Sequence, residues 1–241
     1  MHASTEGIVL RLIKYGESSV IATFFTREFG RQSFILNSAR NKKSKSRAGF
    51  LQPLFLADLV TCQKQNREIQ RAKEIKNTPV YQNIPFDVVK STQAIFLAEM
   101  LYKTINEEES YPEMFDFIKN ALLFFDIMEK NLANFHLYFL YRLTEYMGFL
   151  PDTTRQGFEN WFDIKKGAVV PFEPSHPLFM NKEATQYFCT LTTLKFHEIS
   201  EFKIPRNMRD YLLKKLIEYY QLHFDNLGEI KSLKVLHEVF E

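Results

Sequence analysis

Two periods of hydrophobicity divide the chain. Through residue 76 the apolar positions come in short runs rich in Val, Ile, Leu and Phe, broken by Gly and polar turns. Runs at 7–13, 19–26, 32–36, 53–62 and 68–75 predict five β-strands, with turns at Tyr15-Gly16-Glu17 and Phe29-Gly30. The last run alternates polar and apolar residues, as a half-exposed strand does. Five short strands in about 75 residues suit a small barrel of the oligonucleotide-binding (OB) type.

Pro79 and Pro85 then interrupt both ladders and helices, and residues 77–85 read as a linker. Beyond it the period lengthens to that of a helix. Val89, Phe96, Leu97, Met100 and Leu101 predict a helix over 86–106. Met114, Phe115, Ile118, Leu122 and Phe125 predict one over 111–130, and Phe135, Tyr138, Phe139, Tyr141 and Leu143 one over 132–147. Pro112 stands where a first-turn proline is tolerated, and Gly148 with Pro151 stops the third helix. Residues 149–182 lose all periodicity and carry Pro151, Gly157, Gly167, Pro171, Pro174 and Pro177, which predicts an irregular insertion with a short strand around 168–171. Helices resume at 183–196, 206–224 and 227–240. The expected class is α+β: a five-stranded OB-type barrel over residues 1–80, then an all-helical domain over 81–241 with the irregular insertion at 149–182.

Charge sharpens this division. The chain carries +2 overall, but residues 1–80 hold fourteen Lys or Arg against six Asp or Glu, hence +8, and residues 81–241 hold seventeen against twenty-three, hence −6. No acidic residue occurs between Glu28 and Asp58, and inside that window lies Arg40-Asn-Lys-Lys-Ser-Lys-Ser-Arg47, between two predicted strands. A cationic loop on a small β-domain suits a phosphate backbone, whose neutralisation releases counterions. Arg40, Lys42, Lys43, Lys45 and Arg47 are the expected primary contacts, with Arg27 and Arg31 in support and Arg11 and Lys14 extending the patch where strand alternation allows. No recognition helix or finger carries the charge, so binding should depend little on base sequence. Tyr15 or Phe34, if exposed beside the patch, would add base stacking of about 1–3 kcal/mol per base; Phe34 is expected inside the barrel. The competing readings are a solvated loop, an adaptor whose basic loop docks an acidic protein, and an RNA-binding OB protein.

Other chemistry is sparse. No GxxxxGK, GxGxxG or GxSxG pattern occurs. His197-Glu198 opens like a zinc-protease helix motif, but Glu201 stands where the second histidine is needed. Glu107-Glu108-Glu109 reads as a solvated helix end. Cys62 and Cys189 are far apart and form neither a CxxC pattern nor a disulfide framework, which suits a reducing compartment. The N-terminus lacks the basic flank and apolar stretch of a signal peptide, and no apolar run approaches the roughly 18 residues of a membrane span. Aromatics make up 15% of the chain, with 24 Phe, and most are expected to fill cores. The expectation is a cytoplasmic binding protein with no catalytic site, no cofactor and no metal.

Several segments, in order, resemble a known family. They are Thr5-Glu6-Gly7-Ile8-Val9-Leu10-Arg11, Tyr15-Gly16-Glu17-Ser18-Ser19 and Phe25-Thr26-Arg27-Glu28-Phe29-Gly30-Arg31. The Ala39-Arg40 and Lys43-Ser44 pairs, Leu51-Gln52-Pro53-Leu54, Tyr141-Arg142-Leu143, Met147-Gly148-Phe149-Leu150-Pro151 and Ile230-Lys231-Ser232-Leu233-Lys234-Val235-Leu236 extend the set. Together they resemble the RecO family of bacterial recombination mediators over nearly the whole chain. The resemblance implies an OB domain that binds single- and double-stranded DNA and anneals complementary strands, and a helical C-terminal domain. It also implies cooperation with RecR, docking on the acidic, hydrophobic tail of single-stranded-DNA-binding protein, and help in loading the RecA recombinase, all in a nucleoid-associated setting. A groove for that tail must be locally basic; Arg142, Lys214 and Lys215 are the candidates. Many members carry a four-cysteine zinc site after the Gly-aromatic-x-Pro turn. Here residues 152–177 contain no cysteine and His176 alone cannot replace four ligands, so no zinc is expected. Packing of Phe158, Trp161 and Phe162 onto the helices is expected to order that loop instead.

Overall fold

A computed structural model describes residues 2–17, 19–36, 51–64, 67–106, 109–155 and 160–240. The five expected strands are present as β1 (His2–Tyr15), β2 (Ser19–Thr26), β3 (Gly30–Leu36), β4 (Leu56–Cys62) and β5 (Ile69–Asn77). They close into a barrel in the order β1-β2-β3-β5-β4, with antiparallel neighbours except for the parallel pair β3 and β5. Val9, Phe24, Phe34, Leu36, Leu59 and Ile75 lie on the inward side and are buried, and Phe24 meets Phe34 edge to face at 5.8 Å. β1 is long because it serves two partners, pairing with β4 over residues 2–8 and with β2 over 7–15. A bulge at Leu10 bends it between them. At Gly7, where the two pairings overlap, a Cβ would stand 2.9 Å from Leu59 Cδ1 and 3.0 Å from Phe24 Cδ1. The barrel has no room for a side chain there.

Among the described residues six α-helices follow: α1 (Val88–Thr104), α2 (Pro112–Ile127), α3 (Phe135–Tyr146), α4 (Lys182–Thr193), α5 (Arg206–His223) and α6 (Ser232–Val239). The chain forms two compact units. One unit comprises residues 1–126 with 230–239, the other 127–229 with 240–241. The barrel therefore shares a unit with α1, α2 and α6, for reasons visible in side chains. Phe25, on the outer face of β2, packs on Phe115 of α2 at 5.8 Å, and Lys119 of α2 pairs with Glu6 of β1.

The linker is strapped to the same helices. Asp126 is buried, and its carboxylate accepts the consecutive N–H groups of Gln82 at 2.8 Å, Asn83 at 2.9 Å and Ile84 at 2.8 Å. Its carbonyl accepts the ammonium of buried Lys90 at 2.7 Å. Asp87 caps α1 through the Lys90 N–H. Helix α6 is shorter than the expected 227–240; Gly228 adopts a left-handed φ of 57°, and the helix starts only at Ser232. Its first turn is capped from α1: the Glu99 carboxylate accepts Lys231 N–H at 3.0 Å, Ser232 N–H at 2.8 Å and Ser232 Oγ–H at 2.6 Å. Burial pushes the Glu99 carboxyl up, but those bonds and nearby Lys103 outweigh it and hold the group below its ordinary value.

In the second unit, α3 ends on Gly148 with φ 80°, and Phe149 N–H reaches the Thr144 carbonyl at 3.1 Å. Tyr220 of α5 is fully buried and donates to the Leu140 carbonyl of α3 at 2.7 Å. The 149–182 excursion is more regular than expected. It holds β6 (Trp161–Asp163), β7 (Ala168–Val170) and β8 (Phe179–Met180), arranged β7-β6-β8. The middle of these in sequence, β7, falls at the short strand expected there; strands of two or three residues are too brief to show an alternation. Phe162 is buried against Phe188 at 5.0 Å and Tyr219 at 6.0 Å. Trp161 is half-buried under the Lys182 ammonium at 4.6 Å, and Phe158 lies outside the described residues. Among the described residues no helix is long and apolar enough to cross a membrane.

Asp126→Ala leaves three N–H groups without acceptors and should lower the unfolding free energy by roughly 2–4 kcal/mol in urea titrations; a loss below about 0.5 kcal/mol would show that the linker is held otherwise. Glu99→Gln should destabilise by about 1 kcal/mol at pH 7. Because the folded carboxyl titrates below its unfolded value, its contribution is present above the unfolded pKa and vanishes as pH falls through the folded one. Thermal melts of wild type and variant should converge in acid, and a gap that widens there refutes the clasp.

Candidate nucleic-acid interface

Of the seven cations expected to meet phosphate, Arg40, Lys42, Lys43, Lys45 and Arg47 lie outside the described residues. Arg27 and Arg31 lie within them, and both are engaged by protein. Arg27 is held bidentately by Asp116 of α2, with Nε to Oδ1 at 3.0 Å and Nη2 to Oδ2 at 2.9 Å. That hydrogen bond, more than the charge itself, raises the pKa of Arg27 and holds the Asp116 carboxyl below its ordinary value. Arg31 Nη1 donates to the carbonyls of Tyr102 at 3.0 Å and Ile105 at 2.7 Å, and to Asn106 Oδ1 at 3.2 Å. It thus satisfies orphan carbonyls at the C-terminus of α1. Its guanidinium also lies 4.3 Å from the Tyr102 ring, and Arg11 stacks on the same ring at 4.8 Å while donating to its hydroxyl. These three arginines bind the barrel to α1 and α2.

Four further cations surround a cleft of about 480 Å³ at the β4–β5 connection: Lys64, Arg67, Arg71 and Lys73, with Cys62, Gln70 and Ala72. All four are exposed. Local sequence explains their placement. Gln70 points inward opposite Phe34 and is buried. Its amide accepts Lys64 N–H at 3.0 Å and donates to the carbonyls of Lys64 at 3.0 Å and Arg67 at 2.9 Å. One side chain therefore folds the connection back on the barrel and turns Lys64 and Arg67 outward. Lys73 occupies a bulge, since Val60 pairs with Glu74 and Thr61 with Ala72, and it lines the cleft together with Arg71. In sequence these cations fall within ten residues with Glu68 as the one acid among them. That density was a legible signal, whereas the cleft they share was not.

The cleft lies beside the C-terminal end of β3. Arg71 is in register with Ile35, one residue before β3 ends at Leu36, and Arg40 follows four residues later in the chain. The same row across the barrel holds Ile13, Ile21, Ile35 and Arg71, so apolar side chains lead up to the cations. Tyr15, two residues beyond Ile13, is 55% exposed, while Phe34 is fully buried. The stacking candidate is therefore Tyr15.

In the second unit, Arg142 of α3 pairs with Glu145 at 3.0 Å. Lys214 of α5 is exposed, whereas Lys215 is buried and reaches Glu218 at 2.9 Å and the Pro177 carbonyl at 3.4 Å. The two neighbouring lysines thus point to different surroundings. Among the described residues no three His, Cys, Asp or Glu side chains group as a metal site would need.

The family model "Recombination protein O N terminal" matches residues 1–79, and "Recombination protein O C terminal" matches residues 85–234. A protein of Flavobacterium psychrophilum named DNA repair protein RecO is 36% identical over 241 residues, spanning 100% of both chains. Proteins of the same name from Azobacteroides pseudotrichonymphae and Bacteroides fragilis are each 32% identical, over 98% and 100% of both chains respectively.

Gln70→Ala should loosen the cleft without unfolding the barrel. Amide exchange in peptides spanning 61–72 should accelerate about tenfold, as loss of roughly 1–1.5 kcal/mol of hydrogen bonding implies, while exchange in β1 and β2 stays unchanged. Equal acceleration throughout the barrel would mean that Gln70 supports the whole fold and not this connection.

Proposed function

The chain belongs to the recombination protein O family, and on that premise we propose that it is a DNA-repair protein of homologous recombination that captures DNA through the basic side of its barrel. The observation that carries this reading is the cleft of Lys64, Arg67, Arg71 and Lys73 beside the β3 exit that leads to Arg40, Lys42, Lys43, Lys45 and Arg47. Such a surface neutralises phosphates and reads no base edges. A strand held by its backbone keeps its pairing edges exposed, so strand annealing follows from the same contacts. Tyr15 adds a stacking surface at the rim. Arg27 and Arg31 support binding indirectly, by fixing the barrel on α1 and α2.

Around this core the reading places the partners that the family resemblance implies. The protein works with RecR, receives the acidic tail of single-stranded-DNA-binding protein on the helical side at Arg142 and Lys214, with Lys215 held internally, and helps load RecA in the bacterial cytoplasm. It acts by binding and carries out no catalysis of its own.

Fluorescence anisotropy with a single-stranded oligonucleotide over a salt series tests the proposal. Neutralising Arg40, Lys42, Lys43, Lys45 and Arg47 should reduce both affinity and salt slope. Arg67→Gln with Arg71→Gln should lower the slope by roughly 1.4, about 0.7 per lost contact. Arg27→Gln should lower stability and leave the slope nearly unchanged. Equal slopes for wild type and both charge-loss variants would reject the interface and favour an adaptor that docks an acidic protein, and preference for RNA of the same sequence would redirect the assignment to RNA.

A further inference from the structure

The zinc that the family resemblance brings with it finds no ligand set in the 149–182 excursion, where residues 152–177 carry no cysteine. A segment rich in proline and poor in long strands still needs a fixed centre to offset its conformational entropy. Asp163 occupies that place. It ends β6, the middle strand of the β7-β6-β8 sheet, and is 2% exposed. Its Oδ1 accepts the N–H groups of Lys165 at 3.0 Å and Lys166 at 3.1 Å, which folds back the turn from β6 to β7. The same oxygen lies 3.3 Å from Nε2 of His176, in the segment leading to β8. The Lys166 ammonium stands 3.9 Å from Oδ2.

One carboxylate thus ties three points of the excursion together. The backbone fastens the rest around it: Asp163 is in register with Ala168 and Phe179, and Ile164 N–H donates to the Leu178 carbonyl at 3.1 Å. On the far side, Asp152 N–H donates to the Gly167 carbonyl at 2.7 Å and Val169 N–H to the Asp152 carbonyl at 3.0 Å. The preceding residue, Phe162, anchors the assembly to α4, donating its N–H to Thr185 Oγ1 at 2.9 Å. The groups around the Asp163 oxygens are two backbone N–H donors, the His176 imidazole and the Lys166 ammonium.

We propose that Asp163 takes the structural role that a four-cysteine zinc site plays elsewhere in the family, so that this excursion closes without metal and without thiols. The inference is independent of the DNA-binding reading. Metal analysis of the purified full chain should find far less than one zinc per molecule, and proteolysis by a lysine-specific protease at Lys165 and Lys166 should be equally slow with and without chelator. Asp163→Ala should raise cleavage at those two sites at least about tenfold, with helical circular dichroism retained, and Asp163→Asn, which keeps one acceptor oxygen, should fall between. If Asp163→Ala does not fold, the Asn variant decides by the same cleavage ratio. Stoichiometric zinc, chelator-dependent cleavage, or wild-type resistance in a folded Asp163 variant each overturns the proposal.

Discussion

Closure of the barrel rests on three register pairs between parallel strands, Ser33 with Ile69, Phe34 with Gln70 and Ile35 with Arg71. Parallel strands cannot be joined by a tight turn, so the chain leaving β3 at Leu36 must run through residues 37–68, laying down β4 on the way, before it returns as β5. The pairing removes the open edges that β3 and β5 would otherwise present. It also fixes what stands beside what. The exit of β3 and the first cations of β5 share one border, and Gln70, turned inward by its place opposite Phe34, is left to organise the connection before it.

Around that frame the cations fall into two populations that net charge does not separate. Arg11, Arg27 and Arg31 meet Tyr102, Asp116 and the carbonyls that end α1; Lys64, Arg67, Arg71 and Lys73 face solvent around one cleft. The first population trades hydration for bidentate and helix-terminal hydrogen bonds and makes the barrel and its helices one compact unit. The second is exposed around the cleft, as a surface that exchanges counterions for phosphates requires.

Much of the fold was legible in the chain because its signals are local. The strand runs, the proline-broken linker and the helical stripes each lie within a few turns of backbone, and Gly148 marked the end of α3. The compact units were not legible, because Glu99 and Asp126 act on backbone N–H groups far along the chain, and a lone acid among polar residues looks the same whether it caps a distant segment or faces water. The same limit governs the site. Arg27 and Arg31 looked like members of a basic patch until Asp116 and the end of α1 stood beside them. Phe34 faces into the barrel, whereas Tyr15 lies beyond the bulge at Leu10, which shifts the alternation along β1 and was not legible in the run of residues. In the excursion, three strands of two or three residues left no periodic trace, and the acid that centres them is one of several.

The return of α6 to the first unit has a consequence for biosynthesis. Glu99 is made 133 residues before the Ser232 it caps, and the whole of residues 127–229 is synthesised in between. Units that are continuous in sequence can fold as they leave the ribosome. This one cannot finish early: its barrel and first two helices emerge first, yet the α1 surface that α6 covers stays open until residues 230–239 have been made. The second unit is inserted within the first, so it is free to fold before the unit that surrounds it in sequence. A nascent chain that stops short of α6 would carry the barrel with an unfinished helical flank.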